Sequence, residues 1–307
     1  MSRRGWLLFA AMCVIWGIPY LLIKVAVRAI TPAELVFVRT AIGALLLVPI
    51  ALSRGQLRPL LTRWRPFLIY SAVEIAVPWF LLSTAETQIS SSLSGLLVAA
   101  VPLIGVVITM LVGGGDQLRG RRLGGLLLGL VGVAAVVGLD LGHVTVLALL
   151  EMLVVICCYA LGPQILSRRL ADLPSLGVVA GSVGICALVY LPVGIVERPA
   201  SLPSGSVLLA LLALGAVCTA LAFILFFWLI AEVGPIRATV ITYVNPAVAV
   251  ALGVALLHEP LTVGIVVGFV LVLGGSILAT RASARDTGAP GSASEATRLA
   301  PEPSRPG

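Results

Sequence analysis

The chain has 307 residues, 60% of them hydrophobic and only 11% charged, with a mean hydropathy of +1.14 and a formal net charge of +7. A water-soluble domain carries roughly 25% charged residues, so this composition excludes a soluble globular protein and points to a lipid bilayer. The positive charge does not indicate a nucleic-acid partner, because the basic residues are scattered through short connections beside apolar runs, where they act as topology signals.

A helix needs about 20 apolar residues to cross a bilayer. Ten such runs are read, at 6–23, 34–52, 67–85, 91–111, 123–139, 146–167, 175–196, 206–231, 237–257 and 262–280. Ser2-Arg3-Arg4 ahead of the first run resembles a signal peptide. No small-x-small cleavage site follows, and Met12 spoils a lipoprotein-type site at Cys13, so an uncleaved helix is expected. This helix carries Cys13, Trp16, Tyr20 and Lys24 at spacings of 3, 4 and 4, which a continuous helix places on one face. The stripe could line a cavity with Lys24, the only lysine, at its outer mouth; the alternative is a helix-end lysine at the headgroups.

Arg39 lies in the second run. In the third, Glu74 sits between Tyr70 and Pro78, followed by Trp79, with Glu86 near the end. The fourth contains Ser94 to Pro102, and Asp116 and Gly125, Gly129 and Gly132 belong to the turn and helix after it. Glu151 and Tyr159 lie in the sixth. The ninth carries Thr239, Thr242, Tyr243 and Asn245-Pro246; Glu259-Pro260 and a helix with Gly268 and Gly275 follow. Residues 281–307 have no hydrophobic pattern and are expected to be a disordered tail. The five cysteines all fall within spans, with no spacing that suggests disulfides or metal ligands.

The chain is internally duplicated. Pro102 and Pro246 are 144 residues apart, and Asp116 and Glu259, Gly125 and Gly268, and Gly132 and Gly275 are each 143 apart. Two repeats, 1–140 and 141–280, therefore hold five helices each. An odd number inverts the second copy in the membrane. With both termini cytoplasmic, sixteen basic residues fall inside, three (Lys24, Arg28, Arg198) fall outside, and Arg39 is within a span. That bias sets the orientation by the positive-inside rule.

These features resemble the EamA-type members of the drug/metabolite transporter superfamily. The matching residues are Trp16-Gly17, Lys24, Arg39, Pro102, Asp116 and Gly125-x-x-Leu128-x-x-x-Gly132-Val133 in the first half. In the second they are Tyr159-Ala160, Ser167-Arg168-Arg169-Leu170, Asn245-Pro246, Glu259-Pro260 and Gly268-x-x-Leu271-x-x-x-Gly275. The resemblance covers roughly 6–280 and implies an all-α membrane protein of ten helices, a secondary transporter that often exports amino acids or other metabolites. Two departures are Asp116 in place of the usual Glu, and Ser182 where a second Arg39 would stand.

Ionisable groups in lipid are costly, so each one within a span is a functional candidate. Glu74 could carry a proton or meet a substrate amine; its structural alternative is a hydrogen-bonded carboxyl near Tyr70. Glu151 is a second proton candidate, or an interfacial glutamate. Arg39 could meet a substrate carboxylate or hold its helix to a neighbour. Trp16, Tyr20, Trp79, Ser94, Tyr159, Thr242, Tyr243 and Asn245 are candidates for the cavity wall or for ordinary packing. Pro102 and Pro246 are expected to kink their helices and free carbonyls there. Asp116 and Glu259 are read as caps of the helices that follow them. The glycine-ridged fifth and tenth helices are expected to scaffold each half or to offer a homodimer face.

No G-x-x-x-x-G-K-[ST] loop occurs, so ATP-driven transport by this chain is not expected. No cofactor, metal or catalytic constellation is expected either. The leading reading is export of a small amphiphilic metabolite by alternating access. Exchange of phosphorylated or nucleotide sugars would need more cationic partners than Arg39 and Lys24. An intramembrane enzyme is a third, weaker reading.

Overall fold

The computed structural model describes residues 1–111, 120–139, 145–197, 199 and 201–286. The described residues are helical and their connections short. Eight stretches are long and apolar enough to cross a membrane: Arg3–Ala26, Pro32–Ser53, Arg58–Gln88, Ser91–Ile108, Val146–Arg169, Ser175–Val196, Gly205–Val233 and Thr239–Leu257. The helices Gly120–Leu139 and Val263–Asp286 contain shorter apolar segments and complete a set of ten. In chain order they are spans 1 to 10. The tenth continues to Asp286, past the expected boundary at 280. Asp116 and the tail from 287 lie outside the described residues.

Contacts between connections sort them into two ends. At the basic end Ser2 donates to Glu232, Arg63 pairs with Asp172, and the helix start at Gly177 abuts the Gln56 carbonyl. At the opposite end Thr31 donates to Glu197, Thr145 to Gln88, and Lys24 to the Glu86 and Ile89 carbonyls. Span 1 thus starts at the basic end and its copy, span 6, starts at the opposite one. The repeats are inverted.

Spans 1, 3, 4, 8 and 9 depart from a regular α-helix. In span 1 Pro19 has no N–H to give, and Gly17 N bonds back only three residues, to Val14 O at 3.0 Å. The helix breaks at 16–18. The break falls within the stripe expected from Cys13 to Lys24, between Trp16 and Tyr20. Span 4 breaks at Ala99-Ala100, just before Pro102, and Ser276 of span 10 donates to the Ala99 carbonyl at 3.0 Å. Span 9 opens with a tight 3₁₀ turn, Thr239–Tyr243, which ends beside Asn245-Pro246. Spans 3 and 8 each contain a π-helical segment, Ala72–Ala76 and Ala213–Leu221. The repeat offset of 144 carries 72–76 onto 216–220, inside the second segment. Such widened turns are rare and concentrate at functional sites.

The equivalent spans 5 and 10 pack directly on each other. A methyl group on Gly125 would lie 2.5 Å from Ala279 N, and one on Gly132 2.8 Å from Val272 N. The glycine faces are therefore used within the chain, to let two backbones approach, and are not presented to a second copy. Gly125→Leu is expected to cost about 3 kcal/mol or more through overpacking against backbone that cannot yield. The melting temperature of the detergent-solubilised protein checks this; an unchanged value would mean that the two helices separate freely.

Candidate functional site

Five spans converge on one buried cluster. Arg39 of span 2 is only 5% exposed and is held on two sides. Its Nε donates to Thr219 Oγ1 of span 8 at 3.1 Å, and its guanidinium carbon lies 3.5 Å from the centroid of the Trp79 ring in span 3. That is a close cation–π contact, strongest where water is excluded. Thr219 in turn donates to Leu214 O, five residues back, a bond that the π segment makes possible. The Arg39 carbonyl lies 3.0 Å from where a Gly215 methyl would be, so the backbones of spans 2 and 8 are in close approach. Tyr20 of span 1 and Tyr159 of span 6 lie near Arg39 and complete the wall.

Glu74 lies in the π segment of span 3, within electrostatic reach of Tyr159. It is partly exposed, but its Oε2 atom is sealed and makes no hydrogen bond. That atom rests on Gly162 of span 6, where any methyl group would overlap the carboxyl. Gly162 is thus the missing side chain that makes room for Glu74. Tyr159 stands one turn before Gly162 on the same helix and neighbours both Glu74 and Arg39.

The pseudo-symmetric position has the same frame without the charges. Ser182, the counterpart of Arg39, accepts a hydrogen bond at 2.8 Å from Ser71, at the mouth of the span 3 π segment. Cys218 stands where Glu74 would be and is buried beside Thr219. Both repeats therefore pin a second or seventh span to a π segment of the other half, but only one does so with ionisable groups.

The other sequence candidates are placed elsewhere. Trp16 packs edge-on to Phe223 at 5.8 Å and against Phe226 at 4.7 Å, both in span 8. Asn245, oriented by its hydrogen-bond partners, donates to Ile241 O at 3.0 Å and Cys13 O at 3.1 Å. It joins the break in span 1 to the break in span 9 and satisfies a carbonyl at each. Thr242 is exposed and donates to Thr239 O, and Tyr243 is half-buried nearby. Ser94 is fully buried and donates to Ser90 O at 3.1 Å. Glu151 is 9% exposed with an unpartnered Oε2, eight residues from Tyr159 toward the opposite end.

Glu259 does cap a helix, but not the one after it. Its carboxylate accepts from Ser91 N at 2.7 Å, Ser92 N at 2.9 Å and Ser92 Oγ, at the start of span 4 in the other repeat. Thr262 caps span 10 instead, accepting from Ile265 N at 3.1 Å. Lys24 is similarly committed. Its ammonium donates to Glu86 O at 2.6 Å and Ile89 O at 2.7 Å, the last carbonyls of span 3, where a cation is favoured by the helix dipole.

Glu86 emerges as a residue that the sequence reading undervalued. It is fully buried and neither carboxyl oxygen has a hydrogen bond. Lys24, Glu259, Ser94 and Arg39 are the polar groups that act on it. Its signal was available: Trp79, Ser83 and Glu86 follow at i, i+4 and i+7, so Glu86 continues the buried face that carries Trp79. Thr219 had a weaker signal, a hydroxyl in a long apolar run.

Two inverted five-helix units, joined around a charged and aromatic centre, define the architecture. The sequence profile described as the EamA-like transporter family matches residues 3–138 and again 146–281. The chain belongs to that family. The profile thus matches once in each half of the chain, and the protein is a multi-pass membrane transporter. Among curated relatives, the uncharacterized transporter YvbV of Bacillus subtilis (strain 168) is 26% identical, over 89% of this chain and 90% of its own length. The uncharacterized inner membrane transporter YedA of Escherichia coli (strain K12) is 31% identical over 82% of each chain. An uncharacterized transporter of Archaeoglobus fulgidus is 23% identical over 91% of this chain and 99% of its own. One solved crystal structure matches with a TM-score of 0.65 at 23% identity, covering 93% of this chain and 99% of that one, a likeness of fold.

Proposed function

We propose that this EamA-family protein is a secondary transporter that exports a small zwitterionic or amphiphilic solute, such as an amino acid, by alternating access. The observation that supports this reading is that one guanidinium and one carboxyl, Arg39 and Glu74, each lie near Tyr159, with Arg39 stacked on Trp79. A zwitterion offers a carboxylate to the first and an ammonium to the second, and its side chain can lie on Trp79, Tyr20 and Tyr159. Glu74 is also the proposed proton carrier, as an ionisable group placed within a span. Broken helices at the centre of two inverted repeats suit a rocking exchange of access. The arginine-rich end is taken as cytoplasmic, with both termini inside.

Sugar-phosphate exchange is less well supported. A dianion needs several cations, and Lys24 is engaged by two carbonyls at the opposite end. The test is counterflow in proteoliposomes across a panel of amino acids, amines and sugar phosphates, with and without a pH gradient. Zwitterions are expected to exchange, and amines or organic acids alone to exchange more slowly. Exchange confined to sugar phosphates would replace this reading, and no flux of any solute would remove it.

A further inference from the structure

The basic end of the bundle contains a cleft of about 490 Å³ between the start of span 3 and the end of span 6. Three arginines line it, Arg63, Arg65 and Arg169, together with Trp64, Ile69 and Ile165. Among the described residues one carboxylate pairs with them: Asp172 with Arg63 at 3.3 Å, with both side chains about half exposed. Among the described residues, neither Arg65 nor Arg169 has an ion-pair partner. Arg65 lies 5.1 Å from the ring of Trp64, which is itself 52% exposed.

The spacing along the two helices separates a charged rim from an apolar floor. Ile69 follows Arg65 by four residues, and Ile165 precedes Arg169 by four. Span 3 runs inward from this end and span 6 runs outward to it, so each isoleucine lies one turn deeper than its arginine on the same side of the helix. The cleft therefore offers cations at headgroup depth and branched aliphatic surface just below. A soluble phosphate could use only the rim. A zwitterionic lipid would bring an ammonium among unpaired guanidiniums.

We propose that this cleft binds an anionic phospholipid, its phosphate held between Arg65 and Arg169 and its acyl chain lying on Ile69 and Ile165. Arginine's planar fork suits phosphate oxygens, and basic clefts between helices at the membrane surface are suited to such headgroups. Trp64 fits the interface beside it. The site lies outside the Arg39–Glu74 cluster and does not depend on what that cluster transports.

The test is titration of the purified full-length protein in detergent, by native mass spectrometry and by thermal shift. The probes are phosphatidylglycerol, phosphatidylcholine and soluble glycerol phosphate. Phosphatidylglycerol is expected to bind and to raise the melting temperature, while the other two do neither at the same concentration. Arg65→Gln and Arg169→Gln are each expected to weaken phosphatidylglycerol binding about fivefold, and the double variant about 25-fold. Ile165→Ser is expected to weaken the lipid further, and Arg3→Gln, at the same end but outside the cleft, to leave binding unchanged. All these positions are exposed or half-buried at the surface, and unchanged lipid-free melting temperatures verify that the variants fold. Equal binding of phosphatidylcholine overturns the proposal. So does an Arg65→Gln/Arg169→Gln double variant that binds phosphatidylglycerol like wild type. Equal binding of glycerol phosphate also overturns it, in favour of a soluble-anion site.

Discussion

Arg39→Gln is expected to abolish solute exchange while leaving a folded protein. The guanidinium stacks on Trp79 at 3.5 Å and donates to Thr219 at 3.1 Å in a setting that is only 5% exposed. Losing the cation–π contact removes about 2 kcal/mol of attraction, and losing a charge-assisted hydrogen bond removes about 1.5–3 kcal/mol. Burying the charge costs several kcal/mol in desolvation, which the neutral variant no longer bears. These terms oppose each other, so the change in stability is expected to be small compared with the change in transport. A substrate carboxylate that loses a partner worth about 2–3 kcal/mol binds about 30- to 150-fold more weakly. Arg39→Lys keeps the charge but cannot both cover the indole and reach Thr219, so it should recover only part of the activity. Counterflow rates over a range of solute concentrations check this. Wild-type affinity in Arg39→Gln would make the arginine a tie between spans 2 and 8 and nothing more.

Glu74→Gln is expected to separate exchange from proton coupling. The amide is nearly isosteric, can still lie over Gly162 and still offers an oxygen to a substrate ammonium, so solute counterflow should persist, at lower affinity. What disappears is the response to pH and accumulation driven by a proton gradient, because glutamine cannot release a proton. Unchanged pH dependence in this variant would exclude Glu74 from the mechanism. Gly162→Ala addresses the same site from the other side. Its methyl group overlaps the Glu74 carboxyl and must displace it. Overpacking of this kind costs about 1–3 kcal/mol, so both the melting temperature and transport should fall. Adding Glu74→Ala to Gly162→Ala removes the clash and should restore the melting temperature without restoring the pH response. If the double variant remains as unstable as the single one, the glycine serves helix packing and not the carboxyl.

Much of this could be read along the chain. The apolar runs, the duplication at 143–144 residues and the arginine bias are one-dimensional signals, and the physical demands behind them are strict. A backbone in lipid must satisfy its own hydrogen bonds, which leaves helices of bilayer length. Arg39 and Glu74 were recognisable for the same reason: a charge inside such a run is too costly to be incidental. Their neighbours were not recognisable until spans 2, 3, 6 and 8 were in place: Arg39 stacks on Trp79 and donates to Thr219, and Glu74 lies over Gly162. The break at 16–18, inside the stripe from Cys13 to Lys24, was not visible to a periodicity argument, which assumes a continuous helix. Glu259 was matched to the helix next to it in sequence, whereas it caps span 4 of the other repeat. Capping is decided by which helix start is nearest in space.

The sequence alone determined the solvent, the number of helices and the inverted duplication, because hydrophobicity and charge bias act segment by segment and need no knowledge of neighbours. The tertiary structure decided which groups stay available. It committed Lys24 to the end of span 3 and Asn245 to two broken helices, uncovered Glu86 as a sealed carboxyl, and gave Arg39 its partners on Thr219 and Trp79. Those outcomes depend on close approach between segments far apart in the chain. Whether a polar group in lipid is a tie or a free functional group depends on what lies within hydrogen-bond reach, and only packing sets that.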